Sequence, residues 1–112
     1  MKLAVIGSRE LHIEVEDMRQ YIPAQVTELV SGGARGIDSC ARMYAVVHNL
    51  PIKEFLPDYP RFGRAAPLKR NLQIIAYADE ILAFWDGHSS GTAYTLRQAE
   101  KMGKKTKVVL IK

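Results

Sequence analysis

Five short runs of branched apolar residues, at 3–6, 26–30, 52–56, 81–85 and 108–111, recur along the chain with segments of helical spacing between them. This alternation constrains the fold more than any other feature. Each run has the length of a strand, and each intervening stretch is long enough to cross back over a sheet. Residues 13–22 make a short helix, while 37–48 set Ile37, Ala41, Tyr44 and Val47 on one stripe. Residues 67–77 carry Leu68, Leu72 and Ile75, and 92–102 carry Leu96 and Ala99 at helical spacing. Pro67 suits a first helical turn and Gly103 a C-terminal stop.

Strands alternating with helices predict an α/β chain, doubly wound in three layers about a five-stranded parallel sheet. The first and fourth runs are the most apolar, as central strands are. The third carries Lys53 and Glu54 and the fifth is flanked by lysines, which marks both as edges. The expected order is 3-2-1-4-5. Its topological switch point lies between strands one and four, and ligands of such sheets sit beyond the carboxyl ends of the strands there.

With 112 residues, 47% of them hydrophobic, one domain over 1–112 is expected, able to bury roughly two thirds of its unfolded surface without staples. The single cysteine, Cys40, excludes an internal disulfide and Cys-pair zinc sites, and points to a reducing, cytoplasmic setting. No apolar run approaches the roughly 18–20 residues of a membrane span, and Met1-Lys2-Leu3 leads into a strand-like run rather than a signal peptide. The net charge of +4 is local: residues 1–100 hold eleven basic and twelve acidic side chains, whereas Lys101, Lys104, Lys105, Lys107 and Lys112 stand without an acid. These lysines read first as a helix end followed by a charge-protected edge strand, and second as a weak, salt-sensitive phosphate contact.

Three loops would meet at the switch point. After the first strand, Gly7 permits a tight turn, Ser8 offers a hydroxyl, and Arg9 can fork onto a phosphate or carboxylate. After the second come Ser31, Gly32, Gly33, Ala34, Arg35, Gly36, Ile37 and Asp38, where glycines precede a helix whose positive end favours an anion. No Lys-Ser or Lys-Thr follows the glycines, and the dinucleotide spacing is missing, so this is neither a Walker loop nor that fingerprint. Asp38 reads equally as support for the first helical turn. After the fourth strand, Ser89, Ser90, Gly91 and Thr92 bring hydroxyls and amides to a second helix start. The two helix starts together point to one paired anion site.

The connection at 57–66 holds Tyr59, Arg61, Phe62 and Arg64, which can cover the site and stack on a base, or anchor the loop, the second role falling first to Phe62. Lys69, Arg70 and Asn71 open the next helix. Cations there oppose its dipole, so an anionic partner is expected, with Arg70 and Asn71 at the pocket rim. His12, His48 and His88 lack metal-ligand spacing, and no metal centre is expected. Cys40 reads as a small buried residue rather than a nucleophile, because no histidine lies near it in the chain. Trp85 reads as core.

Gly7-Ser8-Arg9, the stretch from Ser31 to Asp38, Arg70-Asn71, Ala78-Asp79, Ala83 to Gly87, and Ser90-Gly91-Thr92 together resemble the SLOG superfamily of Rossmann-like nucleotide-binding domains. The resemblance covers nearly the whole chain and is nearest to the small single-domain YspA/YpsA-type members. The Ser31–Asp38 stretch with Arg70-Asn71 is also similar to DprA/Smf DNA-processing proteins, and Ser90-Gly91-Thr92 to LOG-type phosphoribohydrolases. It implies binding or sensing of a nucleotide or nucleotide-derived ligand, with no cofactor. LOG-type enzymes follow Gly-Thr with acidic residues, whereas Thr92 is followed by Ala93-Tyr94-Thr95-Leu96. Cleavage of an N-glycosidic bond would then need Asp38 or Asp86 as the acid. Single-stranded DNA binding through Arg35, Arg64, Lys69 and the lysines is the third alternative. Domains of this type commonly self-associate, so a homodimer is expected.

Overall fold

The computed structural model describes residues 1–111. Its elements in chain order are β1 (Lys2–Gly7), α1 (Val15–Arg19), β2 (Glu28–Ser31), α2 (Ile37–Val47), β3 (Ile52–Glu54), α3 (Tyr59–Phe62), a 3-10 turn (Gly63–Ala65), α4 (Ala66–Tyr77), β4 (Glu80–Trp85), α5 (Ser90–Lys101) and β5 (Lys105–Leu110). The strands form one sheet, β3-β2-β1-β4-β5, and every neighbouring pair is parallel. The fold is therefore the α/β, Rossmann-like architecture that the alternation of runs predicts.

The period of two in a strand explains the layers. Leu3 and Val5 of β1, with Leu82 and Phe84 of β4, face one side and pack with Met18, Ile37, Ala41 and Tyr44 of α1 and α2. Ala4, Ile6, Ile81 and Ala83 face the other and pack with Ile74, Ile75 and Ala99 of α4 and α5. Both faces of β1 and β4 are thus covered, which is why their sequences are continuously apolar. Phe84 is fully buried and meets Tyr21 edge-on, with ring centroids 5.6 Å apart; such a contact adds about 0.5–1.5 kcal/mol beyond area burial. At the outer edge β5 is largely exposed and carries Lys105 and Lys107. Lys112, the last of the C-terminal lysines, lies outside the described residues. Among the described residues no helix is long and apolar enough to cross a membrane.

Several boundaries differ from the sequence expectation. The connection at 57–66 contains α3, where Asp58 accepts from the Arg61 amide at 3.3 Å and Pro60 sits in the first turn. A four-residue turn is too short to produce a hydrophobic period. α5 begins at Ser90 rather than Thr92, so Ser90, Gly91 and Thr92 are helix rather than loop. β2 starts at Glu28 rather than at residue 26, because the Val26 amide turns back to the Pro23 carbonyl. β3 ends at Glu54, and β5 takes in Lys105 to Lys107, which register with Glu80 to Leu82.

Candidate functional site

A cavity of about 390 Å³ opens beyond the carboxyl ends of β1 and β4. Gly7, Ser8 and Arg9 wall it from the β1 loop, Asp38 from α2, Arg70 and Asn71 from α4, and Ser90, Gly91 and Thr92 from α5. The strand order dictates this place. β2 and β3 lie to one side of β1 and β4 and β5 to the other, so the crossovers diverge there and leave a crevice.

Ser8 is the joint of the site. Its carbonyl accepts from the Leu11 amide at 3.3 Å and from the Ile37 amide at the start of α2 at 3.4 Å. Its hydroxyl lies 2.6 Å from that of Ser89. Gly7 makes the approach possible: a Cβ there would sit 2.5 Å from the Phe84 carbonyl and 2.6 Å from the Ile37 side chain. Behind the wall, Asp86 accepts from the amides of His88 and Ser89, both at 2.8 Å, and from the Ser89 hydroxyl at 3.1 Å. The Ser89 and His88 amides hold its carboxyl below the ordinary value of 3.8. The Trp85 indole donates to the Ser89 carbonyl at 3.1 Å, so Trp85, the last residue of β4, braces this loop.

That bracing occupies the Ser89 side chain. Ser89 is the N-cap of α5, yet its hydroxyl makes no capping bond to the helix. The first amides of a helix have no acceptor within it, and those of Ser90, Gly91 and Thr92 stand at the cavity wall. The positive end of a twelve-residue helix adds a preference for an anion. Farther along α5, Thr95 donates to the Gly91 carbonyl and accepts from Asn71 Nδ2, both at 2.9 Å, tying α4 to α5 across the cavity floor. Thr95 also lines the site and was not singled out from sequence; its place one turn after Gly91 and three residues after Thr92 was the signal.

Arg70 lines the cavity with its head group largely buried. It is 6% exposed, and its Nη1 donates to the Gly32 carbonyl at 2.6 Å and more weakly to that of Phe55 at 3.4 Å. Its Nε donates to Asn71 Oδ1 at 2.8 Å. An acidic side chain of the chain itself stands near this cation. Asp38 lies near enough for its charge to act on Arg70, opposing the burial that lowers the guanidinium pKa. Burial pushes the Asp38 carboxyl above its ordinary value of 3.8, against the Ala34 amide and Arg70. Asp38 therefore holds the loop, its Oδ2 accepting from Ala34 N at 3.2 Å, and also lines the cavity.

The remaining candidates lie beside the main cavity. Ser31 is fully buried and accepts from the Gly33 amide at 3.5 Å. Gly32, Gly33 and Arg35 border an adjoining cavity of about 370 Å³ together with Tyr59, Arg9 and Arg70. Gly36, at φ 74°, caps α2. The Arg35 guanidinium reaches Glu10 at 2.6 Å, with both side chains mostly exposed, instead of turning to the main cavity. An ion pair this exposed is worth at most about 1 kcal/mol. Arg9 makes no ion pair among the described residues and borders both cavities. Lys105 registers with Glu80 at the amino end of β4, and Lys104 donates to the Ala78 carbonyl at 2.8 Å. These lysines thus lie at the amino ends of the strands, away from the cavity. Asp79 is there too, accepting from the Lys2 amide at 2.8 Å.

The chain is similar to the Gene 61 protein of Mycobacterium phage D29, with 36% identity over 81 residues, or 67% of this chain and 65% of that protein. The match thus spans just under two thirds of the phage protein's length. No family model and no solved structure matches the chain.

Proposed function

We propose that this chain is a nucleotide-binding domain of the SLOG superfamily, taking a nucleotide or nucleotide-derived ligand at the carboxyl ends of the parallel strands. One observation carries the reading: the uncapped N-terminus of α5 faces a crevice that the β1 loop and the start of α2 also enter. The phosphate sits on the amides of Ser90, Gly91 and Thr92, with Arg9, which makes no ion pair among the described residues, as its cation. Asp38, Asn71 and Thr95 offer hydrogen-bonding groups for sugar hydroxyls. The base lies toward Tyr59, whose ring is half exposed beside the adjoining cavity. Cavities of a few hundred Å³ with few polar groups are the usual size for such ligands.

A thermal-shift panel of mono-, di- and cyclic nucleotides tests this. A ligand at 100 times its Kd stabilises by about 2.7 kcal/mol, a rise on the order of 10 °C for a domain of this size. Arg9→Ala, on the surface, should diminish the rise while leaving the unliganded Tm unchanged. No rise with any nucleotide rejects the reading.

Asp38 favours a second reading, hydrolysis of the base–ribose bond of a nucleoside monophosphate. It is a carboxyl on the cavity wall whose burial favours the protonated form needed to donate to a leaving base. Release of free base from a bound monophosphate, lost in Asp38→Asn, would establish it; binding without turnover would dismiss it. Single-stranded DNA binding draws no support from Lys104 and Lys105, which lie at the amino ends of the strands.

A further inference from the structure

On the other side of the β1 loop a separate cavity of about 630 Å³ is walled by His12, Glu14, Gly36, Ser39, Cys40 and Met43, among others. It holds a group that the nucleotide reading does not use. Cys40 Sγ lies 3.5 Å from His12 Nδ1, and His12 Nε2 lies 2.9 Å from Glu14 Oε1. The histidine that is missing near Cys40 in the sequence is thus supplied from 28 residues earlier.

We propose that Cys40, His12 and Glu14 form a thiol-exchange site whose substrate is a small disulfide. A nucleophile, a base and a group orienting the base, in line and within reach of one another, are the arrangement that activates a thiol. The Glu14 carboxylate accepts from Nε2–H, which leaves Nδ1 as an acceptor facing the sulfur. The Ile13 amide donates to Sγ at 3.5 Å. Because the amide beside the thiol is aimed at the sulfur itself, the site suits displacement at sulfur, where charge stays on sulfur throughout, rather than acyl transfer. Cys40 is only 6% exposed, so the reagent must enter through the cavity. The charged side chains around that cavity are Arg9, Glu10, His12, Glu14 and Arg35.

The step balances without another reagent. Cys40 gives its proton to His12 Nδ1, and the thiolate attacks one sulfur of the disulfide. A Cys40–sulfur bond forms as the original S–S bond breaks, and the departing thiolate carries off the electron pair. It then takes the proton from the His12 imidazolium and leaves as a thiol. Cys40 is oxidised to a mixed disulfide, and the other half of the reagent is reduced.

The chain has one cysteine, so every thiol signal from it reads Cys40. The test is the rate at which the folded full chain reacts with a dipyridyl disulfide, followed by absorbance of the released thione, with intact mass confirming a single adduct. Near neutral pH an unassisted thiol is about 3% ionised. After allowance for the lower nucleophilicity of an easily ionised thiol, His12→Gln should react roughly threefold more slowly than the parent. Above the ordinary thiol range the two rates should converge, because the thiol then ionises without a base. Convergence separates proton transfer from a merely structural role for His12. Glu14→Gln, on an exposed side chain, should slow the neutral reaction in the same direction but less. Equal rates for parent and both variants at neutral pH, or a parent rate that follows global unfolding in denaturant, would overturn the proposal.

Discussion

The hydroxyls of Ser8 and Ser89 lie 2.6 Å apart, joining two loops separated by 81 residues of chain. Through that contact the turn after β1 is fixed to the start of α5. Because Ser89 also serves Asp86, its side chain is withdrawn from the helix it precedes. The loop is hydrogen-bonded where it faces the strands, and the start of the helix has no side-chain cap where it faces the cavity.

Gly91 separates binding from folding. A Cβ there would meet nothing within 4 Å, and the residue lies within the first turn of α5. Gly91→Ala should leave stability unchanged or raise it by up to about 1 kcal/mol. The added methyl should obstruct an anion seated on the helix amides. Urea denaturation should show the first effect, and isothermal titration with the best nucleotide a loss of affinity of at least tenfold.

Gly36 and Gly63 share one backbone conformation, φ 74° and 55° with ψ −129° in both. Their surroundings differ. A Cβ on Gly36 would lie 2.5 Å from the Arg9 carbonyl oxygen, whereas one on Gly63 meets nothing within 4 Å. Gly63→Ala should cost the backbone strain alone, about 1–3 kcal/mol, and Gly36→Ala should cost measurably more. Equilibrium denaturation of the two variants side by side gives the difference.

Removing the buried Arg70 head group leaves the Gly32 carbonyl without its short donor and Asp38 without its cation. Arg70→Met should destabilise by at least the roughly 1–3 kcal/mol of an unsatisfied buried polar group. Combined with Asp38→Asn, the loss should be smaller than the sum of the two single changes, because the second substitution removes the charge that the first leaves unbalanced. A double-mutant cycle in urea measures that coupling.

Asp38 and Asp86 should act on opposite limbs of the pH–stability curve. The folded-state pKa of Asp38 is raised, so the folded chain holds a proton that the unfolded chain releases above about 3.8. Its contribution is fully present below that value and is lost as pH rises through the raised pKa. The folded-state pKa of Asp86 is lowered, so its contribution is present above 3.8 and lost as pH falls. Asp38→Asn should flatten the decline on the side above the ordinary carboxylate pKa. Asp86→Asn should flatten the decline toward acid. Denaturation midpoints across the acidic and neutral range distinguish the two.

Tyr59 is 52% exposed on α3, so Tyr59→Ala should cost little folding stability. If the base stacks on its ring, affinity should fall by about 1–3 kcal/mol, while Tyr59→Phe should bind nearly as the parent does. Titration calorimetry on both variants makes the comparison.

The architecture was legible because it rests on local rules. Alternation within β1 and β4 assigns Leu3 and Val5 to one layer and Ala4 and Ile6 to the other. The apolar runs of the inner strands and the charged third and fifth place the edges, and with parallel pairing these set the strand order and the crevice. Residues within a few positions of one another carry that information. What only the tertiary structure decided is which side chains meet across the crossovers: Ser8 with Ser89, Arg70 with the Gly32 carbonyl, Arg35 with Glu10, and Cys40 with His12. No period or spacing encodes those pairs, because each depends on the angle at which one packed element delivers its side chain to another.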